Sequence, residues 1–116
     1  MTNTFSKDDR LRKSAEFDAV YADNAYAADG VLVILGRVNG LDRTRLGLSV
    51  SRRVGNAAVR NRWKRLIRNA FRTQLAELPV GLDLVARPKK GAQADHDAIC
   101  RSLPKLVDRI HRRLTG

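Results

Sequence analysis

Ten cationic side chains lie in the 34 positions between Asp42 and Glu77, and no acidic residue lies among them. They are Arg43, Arg45, Arg52, Arg53, Arg60, Arg62, Lys64, Arg65, Arg68 and Arg72. Like charges at this density repel one another, so the segment is a poor solution for stability alone. A polyanion reverses the sign of that repulsion. Nine of the ten are arginine, which binds phosphate bidentately and stacks on bases. A merely solvated face mixes both signs, and this one does not. The chemistry these residues can do is nucleic-acid binding.

Their placement sharpens the point. A long helix is expected from about Ala57 to Leu78, with Asn56 as its cap. Arg60, Arg62, Lys64 and Arg65 fall in its first turns, at the positive end of the macrodipole, where each cation costs a few tenths of a kcal/mol. Arg60, Lys64, Arg68 and Arg72 repeat at i, i+4 and form a slanted basic stripe. Like charges at that spacing add a further small penalty. Phosphates would meet both the stripe and the helix N-terminal amides. A DNA-reading helix-turn-helix needs two short helices and a tight turn, whereas here the basic helix follows a strand. Phe17 and Tyr21, spaced i, i+4 on a short first helix, can stack unpaired bases. Aromatics at that spacing also serve as core, and the pattern leaves both readings open.

No protein active site is visible. No carboxylate pair stands out, and Asp8 and Asp9 belong to a polar arm. Ser49 and Ser51 have no histidine nearby in sequence. The single cysteine, Cys100, reads as a small core residue and excludes disulfides and thiolate-built zinc sites. His96 and His111 are too far apart for a helical metal pair. No catalytic or metal-ligating residue is therefore expected in the chain, and any chemistry it serves lies in a partner.

The elements that must position these residues follow from pattern. The chain has 116 residues, 43% of them apolar, and a net charge of +11, enough for one domain. Residues 1–13 read as a basic arm and 14–116 as a single α/β domain. No apolar run approaches the roughly 20 residues of a membrane span. The N-terminus does not resemble a secretory signal, so a cytoplasmic protein is expected. Ser14 is the expected cap of the first helix, 14–22, with Glu16 and Asp18 in its first turn. Val31 to Leu35 forms a continuous apolar strand, and Asn39-Gly40 marks a turn. In the next strand, Thr44 to Arg53, Leu46, Leu48 and Val50 alternate with Arg45, Gly47, Ser49, Ser51 and Arg53. One face is apolar, and the other is small, polar and open to close approach. Val59, Trp63, Leu66, Ala70, Phe71, Leu75 and Leu78 form the buried stripe of the long helix, which Pro79 and Gly81 stop. Asp83 to Pro88 is a short strand, and Lys89-Lys90-Gly91 a basic turn. A last helix spans about Asp95 to Leu114, with Ile99, Leu103, Leu106, Ile110 and Leu114 inward. Pro104 inside it should kink or disorder its first part. The order is helix, two or three strands, helix, strand, helix.

Arg45-Leu46-Gly47-Leu48-Ser49-Val50-Ser51, Val54-Gly55-Asn56-Ala57 and Arg60-Asn61-Arg62-Trp63-Lys64-Arg65 closely resemble the signature of the protein component of bacterial ribonuclease P, the last segment matching its RNR motif. Leu11 to Tyr21 resembles that family's first helix and Asp83 to Arg87 its last strand, so the match spans residues 11–90. The resemblance implies an α+β, two-layer α/β sandwich in the order αβββαβα, like a domain of some ribosomal proteins, with a left-handed crossover against the usual rule. It implies a subunit that helps remove the 5′ leader of precursor tRNA endonucleolytically, giving the mature 5′ end. Hydrolysis is carried by a catalytic RNA with bound Mg2+, none of which the protein binds alone. The implied partners are ribonuclease P RNA and precursor tRNA in a 1:1 ribonucleoprotein, with no DNA and no membrane. Asn56, Arg60, Asn61, Arg62, Lys64, Arg65 and Arg68 are implied to face the catalytic RNA, Asn56 and Asn61 by ordering the loop and motif. Phe17, Tyr21, Ser49, Ser51, Arg52, Arg53, Arg87, Lys89 and Lys90 are implied to hold the leader. Asn69, the Arg52-Arg53 pair and Trp63 depart from the family pattern, and Arg101, Arg109, Arg112 and Arg113 have no implied role. The alternatives are a structural RNA-binding protein of ribosomal type and a sequence-specific DNA binder.

Overall fold

Strand alternation sorts the apolar residues onto two faces of one sheet. The structure, a computed structural model, describes residues 9–116, so Asp8 and most of the expected arm lie outside the described residues. Strands β1 (Ala25–Ala28), β2 (Leu32–Val38), β3 (Arg45–Leu48) and β4 (Leu82–Pro88) form a mixed sheet in the order β1-β2-β4-β3. β2 is antiparallel to both β1 and β4, and β3 is parallel to β4. Helices α1 (Ser14–Ala22), α2 (Ala57–Gln74) and α3 (His96–Thr115) complete the order αβββαβα. On one face Ile34, Leu46, Leu84 and Ala86 meet Trp63, Ile67 and Phe71 of α2 and Ile99, Leu103, Leu106 and Ile110 of α3. On the other, Leu35 and Val85 pack with Leu11, Val20 and the half-buried Phe17 of α1.

Several elements differ from expectation for local reasons. β1 is a short edge strand whose alanines carry little β preference, so pattern alone left it undecided. The strand expected over residues 44–53 ends at Leu48, and Arg52–Val54 form a 3-10 turn. The Ser49 N–H still donates to Ala86 C=O, at 3.0 Å. The expected open face is closed at Gly47, where the ring of Phe17 lies so near that an added Cβ would stand 2.6 Å from it. Val59 is exposed rather than part of the buried stripe, and Ile67 is fully buried in its place. Val59 sits in the first turn of α2 and covers Gly55 instead. Lys13, not Ser14, occupies the cap position of α1, because Glu16 Oε1 accepts from the backbone N–H groups of Arg12 and Lys13, both at 3.0 Å. Those two bonds, aided by Arg45, hold the Glu16 carboxyl below its ordinary pKa.

Pro104 lies inside a continuous α3. A proline leaves the carbonyl four residues earlier without its helical donor. Here that carbonyl is Cys100 C=O, and Gln74 Nε2 of α2 donates to it at 3.0 Å. The tertiary bond replaces the missing helical one, which is why no irregular stretch forms.

Asp29, in the β1–β2 turn, ties the sheet edge to α3. Its carboxylate accepts from the N–H groups of Val31 and Leu32 and from Ser102 Oγ, and pairs with Lys105 at 3.3 Å. Burial pushes its pKa up, but these partners outweigh burial and hold it at about 2, below the ordinary 3.8. A folded pKa below the unfolded one stabilises above the unfolded value and is lost as pH falls through the folded value. Asp29→Asn should therefore lower stability by roughly 2 kcal/mol at neutral pH. Urea midpoints should show the gap to the parent closing as pH falls from 3.8 towards 2. Gln74→Leu should cost about 1 kcal/mol by orphaning Cys100 C=O. In a double-mutant cycle, Pro104→Ala restores the helical donor and should cancel most of that cost.

Candidate nucleic-acid interface

α2 carries two opposed faces. Trp63, Leu66, Ile67, Ala70 and Phe71 are buried, which forces the intervening cations outward. Asn56 starts the helix, its Oδ1 accepting from Val59 N–H at 3.0 Å. Arg62, Arg65 and Arg68 are exposed, and Arg60 and Lys64 are partly buried. None of these five makes an ion pair among the described residues. Arg62 donates only to the Ala94 carbonyl, at 3.3 Å. Arg60 Nε is out of water with no hydrogen-bond partner. Asn61 is exposed and its side chain makes no hydrogen bond among the described residues. Arg72 donates to Asn69 Oδ1 at 2.6 Å, so the asparagine does part of what an acidic residue would do there.

Two members of the acid-free segment are neutralised from elsewhere. Arg45 donates to both oxygens of Asp83, at 2.8 and 2.7 Å, and to Glu16 at 2.9 Å. These contacts, those to Asp83 foremost, raise its pKa above the ordinary value. Arg43 lies 3.9 Å from Asp42. The expectation of ten uncompensated cations is corrected for these two. Lack of acids in the sequence interval did not preclude acids across the sheet.

Most of the remaining candidates gather in two hollows. One, lined by Arg12, Ser14, Phe17, Asp18, Tyr21, Leu48 and Ser49, encloses about 340 Å³. Tyr21 is 45% exposed there, its ring centroid 6.4 Å from that of Phe17. The second, of about 440 Å³, brings Ser51 and Arg53 together with Lys89 and Lys90. Arg87 is exposed on the α1 side of the sheet, in register with Val33. Arg52 is exposed but lines neither hollow.

A third hollow joins the first of these to α2, sharing Arg12, Phe17 and Leu48 with it. Arg10, Arg12 and Phe17 line it together with Lys64 and Arg68 of α2. Arg10 reaches this place because it bridges to Leu46 beside β3, and Leu11 N–H donates to Leu46 C=O at 3.0 Å. Sequence reasoning saw Arg10 and Arg12 as part of an arm and gave them no site role. The apolar Leu11 between cations was the available signal, since it is buried.

From α2 to the cleft beside α1 the surface is thus a continuous run of guanidinium and ammonium groups, with aromatic rings on one flank and an arginine face without ion pairs on the other. Such a run suits a phosphodiester chain with some unpaired bases.

Comparison with known proteins agrees. The family model described as Ribonuclease P matches residues 5–111. The ribonuclease P protein component of Thermotoga petrophila is 35% identical over 115 residues, covering 95% of this chain and 98% of that protein. That of Brevibacillus brevis is 41% identical over 102 residues, covering 86% and 81%. Among solved structures, the RNase P protein from Thermotoga maritima superposes with a TM-score of 0.80 at 33% identity, covering 87% of this chain and 96% of that one. The RNase P protein of Staphylococcus aureus gives a TM-score of 0.78 at 27% identity, covering 93% and 98%. Sequence signature, strand order and overall superposition converge, and the chain belongs to the bacterial ribonuclease P protein component family.

Proposed function

We propose that this subunit of ribonuclease P docks the catalytic RNA along α2 and holds the 5′ leader of precursor tRNA in the cleft between α1 and the sheet. The observation that carries the reading is the unpaired cationic face of α2, continuous through Arg12 and Phe17 with an exposed aromatic cleft. Arg60, Arg62, Lys64, Arg65 and Arg68 neutralise phosphates of the catalytic RNA. Tyr21 and the outer part of Phe17 stack leader bases. Ser49, Ser51, Arg52, Arg53, Arg87, Lys89 and Lys90 line or rim the path of its backbone. The protein's contribution is affinity and orientation, which places the scissile bond without touching it.

Hydrolysis is assigned to the RNA partner. Among the described residues no three His, Cys, Asp or Glu side chains stand close enough to hold a metal ion. The magnesium expected for cleavage belongs with the RNA, in a 1:1 complex. No helix among the described residues is long and apolar enough to cross a membrane, and a cytoplasmic place suits the role.

The deciding experiment is cleavage of 5′-labelled precursor tRNA by a bacterial ribonuclease P RNA at low magnesium, with and without the protein. Restored cleavage at the mature 5′ end is expected. Binding without restored cleavage favours a ribosomal-type RNA-binding role, and cleavage by the protein alone overturns the assignment of chemistry to RNA. Tyr21→Ala, an exposed change, should weaken leader-bearing substrate about tenfold and leave mature tRNA unaffected. Equal losses for both would place Tyr21 outside the leader path. Arg60→Ala/Lys64→Ala/Arg68→Ala should flatten the slope of log K against log salt by about two to three. An unchanged slope would sink the docking role of α2.

A further inference from the structure

We infer that α3 carries a second RNA-binding surface, distinct from α2, that grips the backbone of a double-helical stretch of another RNA molecule. Arg101, Lys105, Arg109 and Arg113 recur every four residues, about 6 Å of rise per step, and Arg112 lies beside them. All five are exposed. The acidic residues of α3 are Asp97 and Asp108. Asp108 is paired with Arg112, Asp97 contacts His96, and Asp29 answers Lys105. Arg101, Arg109 and Arg113 have no ion pair and no side-chain hydrogen bond among the described residues. The helix dipole accounts for cations in the last turn, such as Arg112 and Arg113, but gives Arg101 in the second turn no support.

The row points away from the α2 face. His96 and Cys100 mark the side of α3 turned to α2, through Asn69 and Gln74. Ser102 and Lys105 mark the side turned to the β1–β2 turn, through Asp29. The cations therefore lie along the outer, β1-side flank of α3, and an RNA seated there leaves α2 free. The occupant's form follows from what the helix lacks. α3 contains no Phe, Tyr or Trp, so it has no ring on which to stack an unpaired base. Evenly spaced guanidiniums without aromatics fit phosphates of a duplex and read no sequence. The cleft beside α1, with Phe17 and Tyr21, has the opposite composition. The inference rests on the proposed docking of ribonuclease P RNA along α2.

The test uses the protein assembled with ribonuclease P RNA and a fluorescent, blunt-ended RNA duplex as probe, with the RNA alone as baseline. Arg101→Gln/Arg109→Gln/Arg113→Gln should weaken duplex binding by the assembled complex about tenfold and flatten its salt slope by two to three. Affinity for ribonuclease P RNA should stay within about twofold, whereas Arg60→Ala/Lys64→Ala/Arg68→Ala should lose it. The matching triple change to lysine should keep most duplex binding, and an unchanged urea midpoint excludes misfolding as the cause. Unchanged duplex binding in the glutamine variant overturns the inference. So does an equal loss of ribonuclease P RNA affinity, which would place α3 inside the primary footprint. Loss of binding only to phosphatidylglycerol vesicles would assign the face to anionic lipid and overturn it as well.

Discussion

A buried ion pair between neighbouring strands sets the frame on which the binding surface is built. Asp83 is 2% exposed at the start of β4, a position where an unpaired carboxylate would be prohibitive. Arg45, its register partner on the parallel strand β3, meets it with two hydrogen bonds, and Asn39 adds a third at 2.9 Å. The same guanidinium then reaches Glu16 in the first turn of α1. One arginine thereby fixes the register of β3 on β4 and the seat of α1 above them. Breaking such a pair by removing one partner leaves a buried charge alone, at a cost of several kcal/mol. The cleft between α1 and the sheet depends on this link, because α1 otherwise rests on a small cluster of Leu11, Val20, Leu35 and Val85.

Around that frame the molecule separates stability from function by face. The inner side of α2 is Trp63, Ile67 and Phe71, all fully buried. Its outer side is arginine and lysine with no acidic partner among the described residues. Burying two large aromatics and an isoleucine contributes several kcal/mol, enough to offset the small penalties of crowded cations at a helix N-terminus. The cations are tolerated because the core beneath them is strong. Arg45 shows the contrast within one sequence segment, since it is the same residue type used for internal bonding.

How far the sequence carried this picture depended on the range of the forces involved. Periodicity placed α2 and its arginine stripe, and the spacing of Arg45 through Arg65 carried the resemblance to a family. Both are local properties. The short edge strand β1, held by pairing with β2, was undetermined because Ala25, Ala27 and Ala28 say little by themselves. The early end of β3 and the docking of Phe17 on Gly47 were decided by contacts across the sheet. Charge counting went astray at Arg45 for the same reason, as Asp83 is 38 residues away in sequence. Arg10 and Arg12 entered the site only because backbone pairing at Leu46 brings the segment before α1 alongside β3.

The bridge from Gln74 to Cys100 C=O has a consequence for the way the chain folds. A helix interrupted by proline is a weak autonomous unit, and α3 carries Pro104 near its middle. The donor that repairs the interruption arrives from α2, so the continuity of α3 is conditional on the docking of the two helices. α3 is then a product of tertiary assembly rather than a preformed rod awaiting it. Local fraying of α3 and separation from α2 become one event, and amide exchange across the Pro104 region belongs to the cooperative unit that contains both helices.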